Sequence, residues 1–258
     1  MGNAKAAGGV SRRAVLGMGA AALAGPVLIR PALAQATPRL TVVELFTSQG
    51  CSSCPPADDL LLEIARRDDI AALSLPVDYW DYIGWKDTFG RPEHTQRQKA
   101  YARARGDGKV YTPQAVVNGL RHCIGSDPAE IEKAARYSAK SGAMGVAMAA
   151  RKSAAGLELQ IGAASAGGPA AGHLMLFRVS SFKEVQIGRG ENSGRKARYA
   201  NIARSFEVAG EWKGAAQQII LPESRLTSPE TDGWIILLQA GDMKKPGAVL
   251  AAVKSPGI

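Results

Sequence analysis

One short stretch constrains this chain more than any other. The run Thr41-Val42-Val43-Glu44-Leu45-Phe46 leads into Cys51-Ser52-Ser53-Cys54, and Pro55-Pro56 follow directly. The run is β-branched and aromatic, the mark of a buried strand. Prolines are tolerated in a first helical turn, Asp58 and Asp59 suit its N-terminal end, and Arg66 and Arg67 suit its C-terminal end. A helix is therefore predicted over about 55–67, with two cysteines at its start. The thiolate is the reactive form, and a helix N-terminus lowers a cysteine pKa from about 8.5 into the range of about 3.5–7.5. Cys51, on the strand side, is expected to be the exposed nucleophile. Cys54, one turn in, is expected to be the buried thiol that resolves a mixed disulfide.

The elements that follow fix the setting. Residues 70–77 read as a second strand, an aromatic-dense insertion spans Asp78 to Trp85, and a polar helix runs from Pro92-Glu93 to Gly106. Residues 110–117 form a third strand, Asn118-Gly119 a two-residue hairpin turn, and 120–125 the returning strand. Ser126-Asp127-Pro128 opens a last helix. The order β-α-β-α-β-β-α, with a parallel strand–helix–strand unit and an antiparallel hairpin, is that of a thioredoxin-like domain over residues 37–141. In that setting Pro113 lies against the cysteines, and the Thr112-Pro113 bond is predicted to be cis. The alternative is an ordinary trans proline at a strand start.

Several side chains carry two readings. Glu44 is the charged residue in an apolar strand. As a buried carboxyl it can accept a proton from the resolving thiol; otherwise it sits at an edge or pairs with a base. Trp80, Tyr82 and Trp85 either line a peptide-binding groove beside the cysteines or cap a core. Cys123 is either a small buried hydrophobe or a spare thiol; with a two-residue turn it faces Gln114. His94 and His122 stand at no recognised ligand spacing, so no metal site and no cofactor are expected.

Residues 142–258 show short apolar runs punctuated by Gly and Pro, at 143–150, 157–162, 173–180, 199–208, 216–221, 234–240 and 247–253. That spacing predicts a β-rich, sandwich-like C-terminal domain, either placing substrate over the cysteines or purely structural. The polar loop Gly188 to Arg195 is too irregular for a phosphate cradle. At the other end, residues 1–36 hold Lys5, Arg12, Arg13 and Arg30 and no acid, then an apolar run and small residues at Ala32, Ala34 and Ala36. This is an export signal, with Ser11-Arg12-Arg13-Ala14-Val15-Leu16 resembling a twin-arginine leader; the alternative is an uncleaved anchor. Without it, Lys plus Arg falls from 32 to 28 against 23 acids, leaving +5. That is a solvated surface, with no nucleic-acid partner expected and no membrane after cleavage.

The segment from Val43 through Cys51 and Cys54 to Asp58 resembles the signature of a secreted, thioredoxin-like bacterial family catalogued as a domain of unknown function (number 1223). Val77-Asp78-Tyr79-Trp80-Asp81, Gly84-Trp85-Lys86-Asp87, Tyr111 to Gly119 and, more loosely, Gly190-Glu191-Asn192-Ser193-Gly194-Arg195 resemble its further motifs. The resemblance implies a thioredoxin-like domain plus a β-rich one, and no substrate. The leading expectation is an exported, periplasmic or secreted thiol–disulfide oxidoreductase. Cys51 and Cys54 act on protein or peptide thiols and disulfides, Pro113 and Thr112 present backbone to the partner, and Glu44 moves the proton. The alternatives are a copper- or zinc-binding or delivery protein using the same cysteines, and a thioredoxin-fold binding module that no longer turns over.

Overall fold

The structure is a computed structural model and describes residues 39–258. The expected leader, residues 1–36, lies outside the described residues. Among the described residues the chain is a mixed α/β protein built on one large sheet of eight strands, with a second sheet of three.

The first half follows the predicted order. Strand β1 (Thr41–Thr47) leads to helix α1 (Pro55–Ile64), β2 (Ile70–Pro76), α2 (Pro92–Arg105), β3 (Gln114–Val117), β4 (Arg121–Ile124) and α3 (Pro128–Lys140). β1 and β2 are parallel, and β1 pairs antiparallel with β3. α3 starts as its sequence dictates: the Asp127 carboxylate accepts the Glu130 N–H, and Pro128 takes the first turn. α2 stops at Gly106, whose φ of 76° a side chain would disfavour.

Two expectations shift. The third strand begins only at Gln114 rather than at 110. The hairpin loop also holds three residues, since Val117 pairs with Arg121. Asn118 is not free to make a two-residue turn: it bonds Val42 through its backbone N–H (2.9 Å) and again through its side chain (2.7 Å). The register therefore slips by one, and Cys123 pairs with Ala115 while Gln114 faces Ile124.

The second half supplies β5 (Met148–Ser153), β6 (Gly156–Ile161), β7 (Gly172–Gln186), β8 (Lys196–Trp212), β9 (Gln217–Leu221), the short α4 (Glu223–Leu226), β10 (Gly233–Gly241) and β11 (Pro246–Lys254). The expected boundary near residue 141 does not interrupt the sheet. β8 pairs in parallel with β2 through Ser74 and Ile202, and Asn201 donates to the Ala72 carbonyl at 3.1 Å. Strands from both halves thus share one sheet, in the order β11-β10-β7-β8-β2-β1-β3-β4, and β5, β6 and β9 form a layer of their own in the order β5-β6-β9.

Alternation decides what each face covers. From β1, Val43 and Leu45 pack with Ala57 and Leu61 of α1 and Ile131 and Ala134 of α3. Val42 and Phe46 point the other way, to a core with Tyr101 of α2 and Phe177 and Ile235 from the second half. Leu174, Leu176 and Ile236 take the small sheet's Leu157, Leu159 and Ile161 as partners. With both faces covered, the continuous apolar run of β1 is what its position requires. Among the described residues no helix is long and apolar enough to cross a membrane.

Candidate active site

The loop between β1 and α1 carries Cys51 and Cys54, joined as a disulfide with Cα atoms 5.4 Å apart. Cys54 is the N-cap of α1 and its carbonyl accepts the N–H groups of Ala57 and Asp58 at 2.8 and 3.1 Å. Pro55 and Pro56 contribute no N–H, and the next two amides are spoken for. The expected supply of free helix amides is therefore reduced, leaving the dipole and the Ser53 hydroxyl, 3.4 Å from Cys51 Sγ. The expectation of an exposed Cys51 also needs correcting: it is 3% exposed and Cys54 0%, whereas Ser52 and Ser53 between them are exposed.

The approach to Cys51 is held from three sides, and Gln49 is the hub. Its N–H donates to the Asp87 carboxyl at 2.8 Å, its side-chain oxygen accepts the Trp85 indole N–H at 2.8 Å, and its side-chain amide reaches Thr88 at 2.9 Å. Asn192, from the turn between β7 and β8, donates to the carbonyls of Gln49 and Cys51, each at 2.9 Å. Trp80 donates its indole N–H to the Thr112 hydroxyl at 2.8 Å and packs beside Gly50, where an added Cβ would stand 3.1 Å from its own. Trp80 thus ties the cysteine loop to Thr112-Pro113, whose peptide bond is cis. The two tryptophans use their polar atoms inside the protein. Tyr82, stacked on Trp80 with ring centroids 6.4 Å apart, is the aromatic left exposed.

Glu44 does not join this site. It shares the face of Val42 and Phe46, opposite α1, and binds Arg97 at 2.5 and 3.0 Å while accepting the Tyr101 hydroxyl at 2.5 Å. Gln239 of β10 completes the network through Arg97 and Tyr101. Alternation along the strand turns Glu44 away from the cysteines, and of its two readings the pairing with a base is the one the geometry shows.

A different carboxyl stands there. Asp58 lies one turn along α1 from Cys54, on the buried face formed by Cys54, Ala57, Asp58 and Leu61. Thr47 donates its hydroxyl to it at 2.8 Å. Burial pushes its pKa well up, the Thr47 bond draws it back, and nearby Asp87 raises it further. Burial likewise raises Asp87 to about 6, against the hydrogen bonds from Gln49 and Phe89. Tyr199 is raised by burial and then by these two carboxyls. A cavity of about 80 Å³ is lined by Ser48, Asp58, Asn192 and Tyr199, with Arg195 and Arg198 also on its wall. Sequence spacing held a clue to Asp58, since it is four residues after Cys54; its burial was the missing part.

The remaining candidates fall away from the cysteines' chemistry. Cys123 is a free, buried thiol packed among Leu45, Ala57 and Leu61, and burial pushes it up to about 11. His94 is bound to the Pro76 carbonyl at 2.7 Å, and burial lowers it to about 4. His122 is bracketed by Tyr111 at 2.8 Å and Asp107 at 3.1 Å.

A family model described as "Protein of unknown function (DUF1223)" matches residues 42–239. No curated protein matches. Among solved structures, protein AGR_C_4864 from Agrobacterium tumefaciens is similar at 32% identity and a TM-score of 0.74, over 84% of this chain and 94% of that one. HBP35 of Porphyromonas gingivalis is similar in fold at 11% identity and a TM-score of 0.53, over 84% of this chain and 74% of that one.

Proposed function

We propose that this chain, which belongs to the DUF1223 family, is an exported thiol–disulfide oxidoreductase working through Cys51 and Cys54. The observation that carries the reading is the joined cysteine pair at the N-cap of α1, with the Ser53 hydroxyl beside Cys51. We read β1 to α3 as a thioredoxin-like unit, supported by the strand order β2-β1-β3-β4 and by a cis proline at the entrance to β3. The second half is its β-rich companion, sharing the sheet. The basic-then-apolar leader supports export to the periplasm or beyond, where a disulfide persists. The partners are protein or peptide thiols and disulfides.

In the reducing direction Cys51 thiolate attacks one sulfur of a partner disulfide and expels the other. Cys54 then attacks the Cys51 sulfur of the mixed disulfide and releases the partner's second sulfur. Both protons pass to the partner, and the protein is left oxidised. Cys54 must lose its proton while buried, and Asp58 is the carboxyl positioned one turn away to take it. A carboxyl with a raised pKa gives up and regains a proton more readily near neutrality than an ordinary one. The cavity beside Asp58 and Tyr199 gives that proton a way to water.

The test is a redox titration of the folded protein in glutathione buffers. Reversible interconversion that follows the ratio of glutathione squared to glutathione disulfide is expected. A bridge that neither a dithiol opens nor glutathione disulfide re-forms, without unfolding, would refute the reading.

A further inference from the structure

The hairpin between β7 and β8 reaches back across the cysteine loop. Its tip closes on itself, with Ile187 N–H on the Arg195 carbonyl at 2.9 Å and Gly194 N–H on the Ile187 carbonyl at 2.8 Å. Gly190 and Gly194, at φ 77° and 80°, take the left-handed backbone that this reversal needs. From the tip, Asn192, only 2% exposed, spends its Nδ2 on the carbonyls of Gln49 and Cys51. Gly190 lies against Trp85 so closely that an added Cβ would stand 3.2 Å from the Trp85 Cβ. Beneath this strap Cys51 is nearly closed off, while Ser52 and Ser53 remain open. On the Gly50 side stands the Trp80–Tyr82 stack, with Tyr82 79% exposed.

We propose that Asn192 and the hairpin tip it anchors determine specificity, admitting to Cys51 a disulfide carried on an extended polypeptide segment and turning away one set in a folded surface. A slender segment can run past the exposed serines and lay side chains on Tyr82; a rigid, curved surface meets the strap first. The proposal rests on disulfide exchange at Cys51 and Cys54 and assigns the second half of the chain a part in it. Asn192 acts through the loop it holds, as a positioning residue. The reaction is balanced by the partner alone: the reduced pair becomes a disulfide, and the partner's disulfide becomes two thiols.

The test compares exchange of the reduced protein with two disulfides of matched potential, one in a flexible peptide and one on the surface of a folded protein. The wild-type protein should favour the peptide. Asn192→Ala should narrow the ratio of the two rate constants by about tenfold, the scale set by one or two lost hydrogen bonds. Asn192→Ser, which keeps one donor, should fall between. Replacing residues 188–194 with an Asn-Gly turn, its fold checked by circular dichroism, should narrow the ratio at least as far. An unchanged ratio in the variants, or no preference in the wild type, overturns the proposal. Exchange with neither partner removes the oxidoreductase reading itself, and the proposal with it.

Discussion

Strand β1 keeps two buried carboxyls apart, Glu44 on one face and Asp58 of α1 on the other, and the protein treats them in opposite ways. Glu44 meets a guanidinium and a tyrosine hydroxyl, and Arg97, Tyr101 and Gln239 satisfy one another around it. Its charge is compensated where it lies, so it holds α2 and β10 against the sheet. Asp58 meets a single hydroxyl and two other acids, Asp59 and Asp87. Its charge is left uncompensated, so it is free to take up a proton. Two acids of similar burial thus divide into a structural clamp and a chemical group, and the difference lies in the partners alone.

The largest expected effect breaks the clamp. Glu44→Ala leaves Arg97 buried without its anion and should cost about 3–5 kcal/mol, read as a lower denaturation midpoint in urea. Glu44→Leu combined with Arg97→Met removes both charges and should recover most of that loss. Equal stability of the single and double variants would show that the pair is not the cause.

Next in size, Asp58→Asn should slow exchange with glutathione disulfide by about a hundredfold, the lower end of what proton transfer contributes. Its fold should be intact, because an amide oxygen still accepts the Thr47 hydroxyl. A rate like that of the wild type would remove Asp58 from the mechanism.

The Asp58 side carries a pH dependence of its own. Asp87, raised from 3.8 to about 6, binds its proton more tightly folded than unfolded. Its contribution to stability is therefore full below about pH 4 and is lost as pH rises through 6, roughly 3 kcal/mol at 1.36 kcal/mol per unit. Asp58 acts in the same direction. Buried His94, lowered to about 4, works the other way in wild type and variant alike, so the test is a difference: the urea midpoint of the wild type relative to that of Asp58→Asn should rise on going from pH 7.5 to pH 4. A wild type that loses stability relative to Asp58→Asn on going down to pH 4 would contradict the sign.

The smallest effect concerns the thiolate. Ser53→Ala removes the hydroxyl beside Cys51 Sγ and should slow exchange by about twofold to threefold, as for a weak hydrogen bond. Stopped-flow rates at fixed pH would read it.

What was legible in the sequence was local. The apolar run of β1, the prolines opening α1 and α3, and Gly106 ending α2 act through their own neighbours. The cis bond at Thr112-Pro113 was read from the order of elements around it. The rest depended on chain segments far apart. Glu44 stays open between a proton role and a partner for a base, because Arg97, Tyr101 and Gln239, 53 to 195 residues on, show no relation to it until α2 and β10 pack. The hold on Cys51 comes from Asn192, 141 residues away. The parallel contact of β2 with β8 merges two halves whose compositions look separate. The register of β3 and β4 turned on an Asn118 side chain that serves β1 instead of its own turn.

The most direct measurement uses Cys54→Ser protein treated with glutathione disulfide and mapped by mass spectrometry. With the resolving sulfur gone, a stable glutathione adduct should accumulate on Cys51 and not on the buried Cys123. No adduct, or one confined to Cys123, would contradict the assignment of Cys51 as the attacking sulfur.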